Sequence, residues 1–384
     1  MDARLRQDRP LGRSLVGKGI GGPVLTGLDK RMQRHLYPVT AVMTKAMLWM
    51  ACLSLLLMVM PVEARQIVDM TGRKVEVPDR IRKVYATSPP ATQMIYAVDP
   101  GLLSGWNAPL KDREKRYLSP LVHDLPVLGG YFGQGRVANI ETIIKAGPDV
   151  VIMWVRRDSA LNRRMEADMK KAGFPLVFMA IDGMADYGRG FRFLGKLLDR
   201  EERAEKLADY GERALKEAAA VARSASTRKT VSVYYAQGLD GLFTECHTSR
   251  RTEVIGLAGA GNVCLCRTRN DYGMERVSME EVLLADPDVI FVQERQAYDR
   301  IRRDRAWRRI GAVRDGRVFV IPKTPFNWFD RPASHMRYIG IKWVMSCLYP
   351  DLYPIDMARE TRLFYRLFLG VELDDAQVRE ILAG

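Results

Sequence analysis

Short apolar runs alternate with longer segments of helical periodicity from residue 66 onward. Two runs flank Gly72 within residues 68–77 and predict a β-hairpin; another, over residues 82–86, ends at Thr87-Ser88-Pro89-Pro90. A helical pattern follows over residues 91–98. Strands that alternate with helices in this way are typical of α/β proteins with parallel sheets and crossover helices.

One pattern occurs twice, 139 residues apart: E-x-(I/V)-(I/L)-x-A-x-P-D-V begins at Glu141 and again at Glu280. In each copy a helical segment ends at a proline turn and leads directly into an apolar strand. A spacing this long does not fit a solenoid, whose repeats are about 20–50 residues long. The repeat therefore predicts two lobes of similar construction.

The longest helical periodicity covers residues 187–225, where apolar residues recur every three or four positions among Glu, Lys and Arg. A single helix of this kind would be roughly 50 Å long, at about 1.5 Å per residue, and would join the lobes as a rigid strut. The alternative is two ordinary helices that separate near Gly211. The expected domains are an N-terminal lobe (65–186), this connecting helix and a C-terminal lobe with a helical tail (226–384).

An uncharged apolar run covers residues 46–62, between Lys45 and Glu63-Ala64. A basic flank, a short apolar core and a small-residue cleavage site predict a secretory signal peptide over residues 43–64. A retained membrane anchor, which normally needs about 20 residues, is the alternative. Residues 1–42 lack apolar periodicity and are interpreted as a non-native or disordered N-terminal extension, with the translation start at Met32 or Met43.

The composition and motifs of the chain argue against several classes of function. The 47% hydrophobic content is that of a globular protein, and the net charge is +14. Acidic and basic residues are interspersed, as in residues 299–309, which indicates a solvated surface and no nucleic-acid partner. The chain has no GxSxG, Walker A or HExxH motif, and the glycine-rich residues 256–261 follow a helical pattern instead of opening one. An enzyme is therefore disfavoured.

Three segments together resemble the periplasmic substrate-binding proteins of ABC importers for iron–siderophore complexes, haem and cobalamin. They are IVDMTGRKVEVPDRIRKVYATSPPATQMIYAV (67–98), WRRIGAVRDGRVFVIP (307–322) and the two E-x6-PDV repeats. The resemblance covers about residues 66–350. It implies a class III α/β fold, with two Rossmann-like lobes joined by a rigid helix and a ligand in the cleft between them. It also implies a monomer without catalysis or cofactor, which delivers its ligand to an ABC permease dimer with ATPase subunits.

The resemblance implies that a surface glutamate on each lobe docks with the permease. By motif position these are Glu141 and Glu280. A glutamate in the first turn of a helix is also stabilised by the helix dipole, by about 0.3–1 kcal/mol, whatever its function. The helix dipole does not require the glutamate to occupy the same motif position in both lobes. We therefore expect Glu141 and Glu280 to dock with the permease.

The segment 326–332 (FNWFDRP) is the best cleft candidate, because it follows a strand end, where open α/β sheets bind ligands. Trp328 and Phe329 would give flat apolar contact, and Arg331 a forked donor for carboxylate or hydroxamate oxygens. The alternative is that the aromatic rings cover the core and Arg331 pairs with Asp330. Across the cleft we expect six further residues, namely Ser88, Trp106, Tyr131, Arg136, Trp154 and Arg156.

The loop that begins Glu245-Cys246-His247 contains residue types that bind metals, but no metal-ligand spacing supports such a site. In an oxidising compartment a disulfide is favoured, from Cys246 to Cys266 or to Cys264. The four cysteines that follow the predicted signal peptide also allow two bridges, with a buried free thiol at Cys347 as the equal alternative. Ligands are ranked as ferric siderophore or other iron chelate first, corrinoid second because of stacking on tryptophans, and haem third.

Overall fold

The computed structural model describes residues 64–131, 137–155, 160–268 and 273–384. The predicted N-terminal extension and nearly all of the predicted signal peptide lie outside these residues. None of the helices within the described ranges is long and apolar enough to cross a membrane. The strands are β1 (Ala64–Val68), β2 (Lys74–Pro78), β3 (Val84–Ala86), β4 (Val150–Val155), β5 (Leu176–Ala180), β6 (Ser232–Ala236), β7 (Phe243–Thr244), β8 (Gly261–Asn262), β9 (Glu275–Arg276), β10 (Val289–Val292) and β11 (Val318–Val320).

The helices are α1 (Pro89–Val98), α2 (Asp112–Lys115), α3 (Ile140–Ala146), α4 (Ala160–Lys171), α5 (Asp186–Leu198), α6 (Glu201–Ala225), α7 (Glu253–Leu257), α8 (Met279–Ala285), α9 (Arg295–Arg303), α10 (Gly311–Arg314), α11 (Arg337–Leu348), α12 (Met357–Phe364) and α13 (Asp375–Ala383). A π-helical turn, Tyr365–Leu369, continues α12.

Each lobe is built on a parallel sheet. In the N-terminal lobe the strand order is β3-β4-β5, and the predicted hairpin β1-β2 is antiparallel, with Ala64 opposite Pro78. In the C-terminal lobe the order is β11-β10-β6-β8. The hairpin attaches to the N-terminal sheet because the Asp69 carboxylate accepts a hydrogen bond from the Phe178 amide at 3.1 Å. The sequence prediction of α/β lobes with parallel sheets is confirmed.

Alternate residues of the central strands enter different cores. Val150 and Ile152 of β4 belong to a large core that continues through both lobes, whereas Val151 and Met153 face an outer core of the N-terminal lobe. The strands of the C-terminal lobe follow the same rule. This follows from the two-residue period of a strand with both faces covered. The repeated helices α3 and α8 lie on the outer faces, where Ile143 and Val282 are buried.

The connection between the lobes differs from the predicted single helix. Residues 187–225 are divided into α5 and α6 at Asp199, which has a left-handed φ of 55°. Arg192 of α5 binds Glu205 of α6 at 2.7 Å, so the two helices pack side by side. The break is not at Gly211, which lies inside α6 because a Cβ there would overlap the Tyr338 ring. The 25 residues of α6 give a connecting helix of about 37 Å, shorter than predicted.

The helical tail also contacts the N-terminal lobe, although the sequence boundary assigned it to the C-terminal lobe alone. The Tyr96 hydroxyl of α1 donates a hydrogen bond to the Leu369 carbonyl at 2.7 Å, and Arg116 binds Glu380 at 2.7 Å. The side chain of Arg295 in the C-terminal lobe donates to the Ala383 carbonyl. The tail therefore bridges the two lobes.

His335 lies fully buried in this shared core, with ring centroids 5.2 Å from Phe368 and 5.4 Å from Phe191. Within the described residues neither of its ring nitrogens has a hydrogen-bond partner. Burial lowers the pKa of His335 to about 3, so the imidazole is neutral at physiological pH.

We expect His335 to destabilise the protein in acid. Its pKa is lower in the folded chain than in the unfolded one, so unfolding takes up a proton below pH 6.5, which costs about 2 kcal/mol of stability by pH 5. Between pH 7.5 and 5, the free energy of unfolding in urea should fall by about 2 kcal/mol less in the His335→Leu variant than in the wild type. His247→Leu, at an exposed histidine, is the control and should retain the wild-type pH dependence.

Candidate functional site

The candidate site lies where the loops after the parallel strands bring the lobes together. Asp182, two residues after β5, binds Arg250 of the C-terminal lobe at 2.6 Å. Phe326, in the segment after β11, contacts Trp106 of the N-terminal lobe, with 6.1 Å between ring centroids. Ligands of open α/β sheets bind at these carboxyl ends of the strands.

Arg331 is the centre of a charged cluster in the C-terminal lobe, on the same two loops that carry Arg250 and Phe326. Its Nη2 donates a 2.6 Å hydrogen bond to the Glu245 carboxylate, and its Nε lies 3.4 Å from the Asp330 carboxylate. Asp330 also accepts a 2.6 Å hydrogen bond from the Tyr235 hydroxyl. The second arginine, Arg251, lies 3.8 Å from the Glu245 carboxylate and 4.0 Å from that of Asp330. Two arginines thus share two carboxylates.

The cluster has a buried side and a partly exposed side. The carboxylates of Glu245 and Asp330 are 0% exposed, whereas the side chains of Arg331 and Arg251 are 15% and 24% exposed. Burial raises the pKa of Asp330 to about 6, although the charge of Arg331 opposes this rise. The cluster therefore presents guanidinium groups outward over a buried acidic layer, an arrangement suited to an anion.

Two of the aromatic residues predicted to contact a ligand lie in the core. Trp328 and Phe329 are fully buried, and Phe329 packs against Tyr235 with 4.7 Å between ring centroids. The structure instead matches the alternative from the sequence, in which these rings cover the core and Arg331 pairs with Asp330.

Trp106 and Trp154, also predicted to contact the ligand, are buried as well. Trp106 packs against Tyr96, and its indole N–H donates to the Val122 carbonyl at 2.8 Å. Trp154 shares the face of β4 that enters the common core and packs against Tyr187, with 6.1 Å between centroids. Both residues therefore have packing partners within the core.

Ser88 and Tyr131 remain candidates on the N-terminal lobe. Ser88 precedes α1, and within the described residues its buried hydroxyl, like that of Thr87, has no hydrogen-bond partner. Tyr131 is half-buried, and its amide donates to the Thr87 carbonyl at 2.8 Å, which places the two loops side by side. Arg136 and Arg156, also predicted here, lie outside the described residues.

Glu141 and Glu280 occupy equivalent places on α3 and α8. Both are exposed in the first helical turn, and each helix ends in a left-handed residue, Gly147 or Asp286. The aspartate of each PDV sequence then anchors the sheet: Asp149 accepts from the Lys83 amide, and Asp288 from the Ser232 amide, both at 2.8 Å. The repeat therefore produces two similar surfaces on one chain.

Cys246 and Cys266 form a disulfide, with Cα atoms 4.9 Å apart, and this is one of the two pairings that the sequence left open. Cys264 and Cys347 are free thiols. Burial raises the pKa of Cys347 to about 12, so it remains protonated. Cys246 is thus held in the disulfide, and the Glu245 carboxylate accepts a hydrogen bond from Arg331.

Sequence reasoning missed Arg251, and it considered Glu245 only as a metal ligand. The signal for a shared site was that the loop 245–251 carries an acidic residue and arginines just after the sheet of the second lobe, as residues 330–331 do.

A separate cavity of about 350 Å³ lies at the lobe boundary, lined by Arg113, Glu294, Arg295, Gln296, Lys323, Thr324, Glu380 and Gly384. The two glutamates that line this cavity already form salt bridges: Glu294 binds Lys323, and Glu380 binds Arg116, both at 2.7 Å. It lacks the buried carboxylate layer of the arginine cluster.

Known proteins with similar sequences and structures are solute-binding proteins. A solved ABC transporter solute-binding protein from Sulfurospirillum deleyianum is 36% identical, with a TM-score of 0.77, over 83% of this chain and 98% of that one. Molybdate-binding protein MolA from Haemophilus influenzae is 24% identical over 84% of this chain and 95% of its own length. A vitamin B12-binding protein from Pectobacterium atrosepticum is 24% identical over 55% of this chain and 71% of its own length.

The family model for periplasmic binding proteins matches residues 109–325, more than half of the chain. The match includes both E-x6-PDV repeats, the connecting helices and the loop that carries Glu245 and Arg251. Together with two α/β lobes joined by a long helix, this match shows that the chain belongs to the periplasmic binding protein family, in its class III form.

Proposed function

We propose that this protein is the substrate-binding component of an ABC importer, and that it captures an anionic metal complex between its lobes in the periplasm. The observation that carries the proposal is the pair of partly exposed arginines, Arg251 and Arg331, over two fully buried carboxylates at the lobe boundary. Guanidinium groups form paired hydrogen bonds with carboxylate, phosphate and similar oxygens. The protein performs no chemistry on its ligand.

A ferric chelate with carboxylate, hydroxamate or catecholate oxygens is the first ligand we propose. Molybdate is the second candidate, because the relative that aligns over 95% of its length is a molybdate-binding protein. Cobalamin and haem are less favoured. Their planar rings would stack on aromatic side chains, but Trp106, Trp154, Trp328 and Phe329 are buried.

Delivery to the permease is proposed to use Glu141 and Glu280. Each has an exposed aliphatic side chain one turn further along its helix, Ile144 (52% exposed) and Leu284 (90% exposed), and residues three or four apart share a helix face. Two similar acidic and apolar surfaces on one chain suit a permease made of two similar subunits.

Calorimetric titration of the purified protein against a ligand panel tests this function. The panel contains ferric citrate, a ferric catecholate, a ferric hydroxamate, molybdate, cobalamin and haem. Saturable sub-micromolar binding of one ferric chelate is the expected result, and molybdate alone would establish the second candidate. Binding only of cobalamin or haem would contradict the anion assignment, and no binding to any of them would contradict the proposed class of ligand.

Anion affinity should rise as the pH falls from 7.5 to 5.5. Above about pH 6 the ionised Asp330 competes with the ligand for Arg331, whereas below it the protonated carboxyl no longer does. The gain is about tenfold for each unit by which the ligand raises this pKa. The Asp330→Asn variant should bind the anion more tightly than the wild type at pH 7.5. It should also lose the rise in affinity between pH 7.5 and 5.5. Comparison of both proteins with the same ligand cancels the ligand's own titration, and an unchanged pH profile in the variant would contradict the role of Asp330.

A further inference from the structure

We propose that Glu245 positions both ligand-binding arginines and that its charge at the same time limits the affinity for the anion. The inference rests on the proposed function and deepens it. Glu245 immediately follows β7, and its carboxylate accepts a hydrogen bond from Arg331 at 2.6 Å and lies 3.8 Å from Arg251. The two arginines come from segments 80 residues apart in sequence, and Glu245 lies between them at the base of the site.

The Glu245 carboxylate is itself held from several sides. The Ser249 hydroxyl donates to Oε2 at 2.8 Å, and the Met274 amide donates to Oε1 at 3.2 Å. The backbone carbonyl of Glu245 accepts from the Asn262 side-chain amide at 2.9 Å. A carboxylate that is fixed in this way is a rigid support for the guanidinium groups above it.

Two further features fix the loop that carries this residue. Gly273, with a left-handed φ of 65°, packs directly against the carboxylate, where a Cβ would overlap it. The next residue after Glu245 is Cys246, which is joined to Cys266 by the disulfide. The chain thus restrains Glu245 covalently on one side and by close backbone contact on the other.

Positioning and charge have opposite effects on an anionic ligand. A rigid carboxylate holds Arg331 and Arg251 in the arrangement that binds the anion, which lowers the entropy lost on binding. The same negative charge, buried beneath the arginines, repels the anion. Removal of the charge alone and removal of the whole carboxylate should therefore change the affinity in opposite directions.

The test is a matched pair of variants, measured by calorimetry at pH 7.5 with sodium molybdate and ferric citrate as probes. Glu245→Gln retains an acceptor for Arg331 but has no charge, and we expect it to bind roughly threefold to tenfold more tightly than the wild type. Glu245→Ala retains neither, and we expect binding to be weaker by roughly tenfold or more, because both arginines lose one of the two carboxylates that hold them. A merely structural role would not produce opposite signs.

Ser249→Ala is a second variant with a smaller effect, because it removes the hydrogen bond to Glu245 Oε2 but leaves the charge of Glu245. It should bind the anion a few-fold more weakly than the wild type. Thermal unfolding of each variant identifies any loss of folding. Changes of the same sign in Glu245→Gln and Glu245→Ala, or no change in either, would overturn the inference. If the wild type binds neither probe nor any other member of the ligand panel, the proposed function fails first, so the two failures are distinguishable.

Discussion

Replacement of Arg331 by glutamine is expected to weaken ligand binding by about 100-fold. The guanidinium group would form two charge-assisted hydrogen bonds with an anion, together worth about 3 kcal/mol, which corresponds to that change in affinity. Its outward position over Glu245 and Asp330 makes it the cation that a ligand would meet at the lobe boundary. Titration of the variant with the ligand that the wild type binds provides the measurement.

Two further variants separate the geometry of Arg331 from its charge. Arg331→Lys retains the charge without the fork and should bind with intermediate affinity. Arg308→Gln, at an exposed arginine of the same lobe, changes the net charge by the same amount away from the cluster and should bind like the wild type. Thermal unfolding must accompany the titrations, because loss of Arg331 leaves two buried carboxylates with Arg251 as their remaining cation, and such losses cost about 3–5 kcal/mol. Wild-type affinity in folded Arg331→Gln would exclude Arg331 from the site.

Charge reversal at both proposed docking glutamates is expected to abolish uptake while ligand binding is unchanged. Glu141 and Glu280 are exposed on the outer helices, and neither contributes to the cluster of Arg331, Arg251, Glu245 and Asp330. The double variant Glu141→Lys, Glu280→Lys would replace negative charge by positive charge on both surfaces that are proposed to contact the permease. Metal accumulation in cells that produce the variant from the natural gene position measures uptake, and calorimetry measures binding.

Glu201→Lys is the matched control for this double variant. Glu201 is also an exposed glutamate in the first turn of a helix, so its reversal removes a helix-dipole interaction of the same size, about 0.3–1 kcal/mol. We expect normal uptake from the control and intermediate uptake from each single reversal. Equal loss of uptake in the control, or loss of soluble ligand binding in the double variant, would contradict the docking assignment.

Much of the architecture could be read from local patterns. The hairpin around Gly72 and the strand after each PDV sequence follow from periodicity and turn residues that act within a few positions. The repeat at Glu141 and Glu280 is likewise visible in the sequence, and the equivalent construction of α3 and α8 explains why one register recurs. The break in the connecting helix was harder to place, because Gly211 is the residue that normally signals one, yet it is required by the Tyr338 ring.

The environment of the aromatic residues near the site could not be predicted from local sequence either. Alternation along β4 places Trp154 on the face of Val150 and Ile152, but the sequence does not tell which face meets the other lobe. The structure shows that this face enters the core shared by both lobes. An aromatic side chain at a strand end therefore had two possible environments, and local sequence could not choose between them.

The sequence by itself determined the fold class, the two-lobe repeat and the resemblance to periplasmic binding proteins, since these depend on short-range periodicity and on motifs. Tertiary structure decided which polar residues meet. Glu245 and Arg331 are 86 residues apart and become partners only because two loops end at the same lobe boundary. Burial of the Glu245 and Asp330 carboxylates, and hence the raised pKa of Asp330, also depends on tertiary packing. The candidate anion site is thus a product of long-range contacts, which no local pattern encodes.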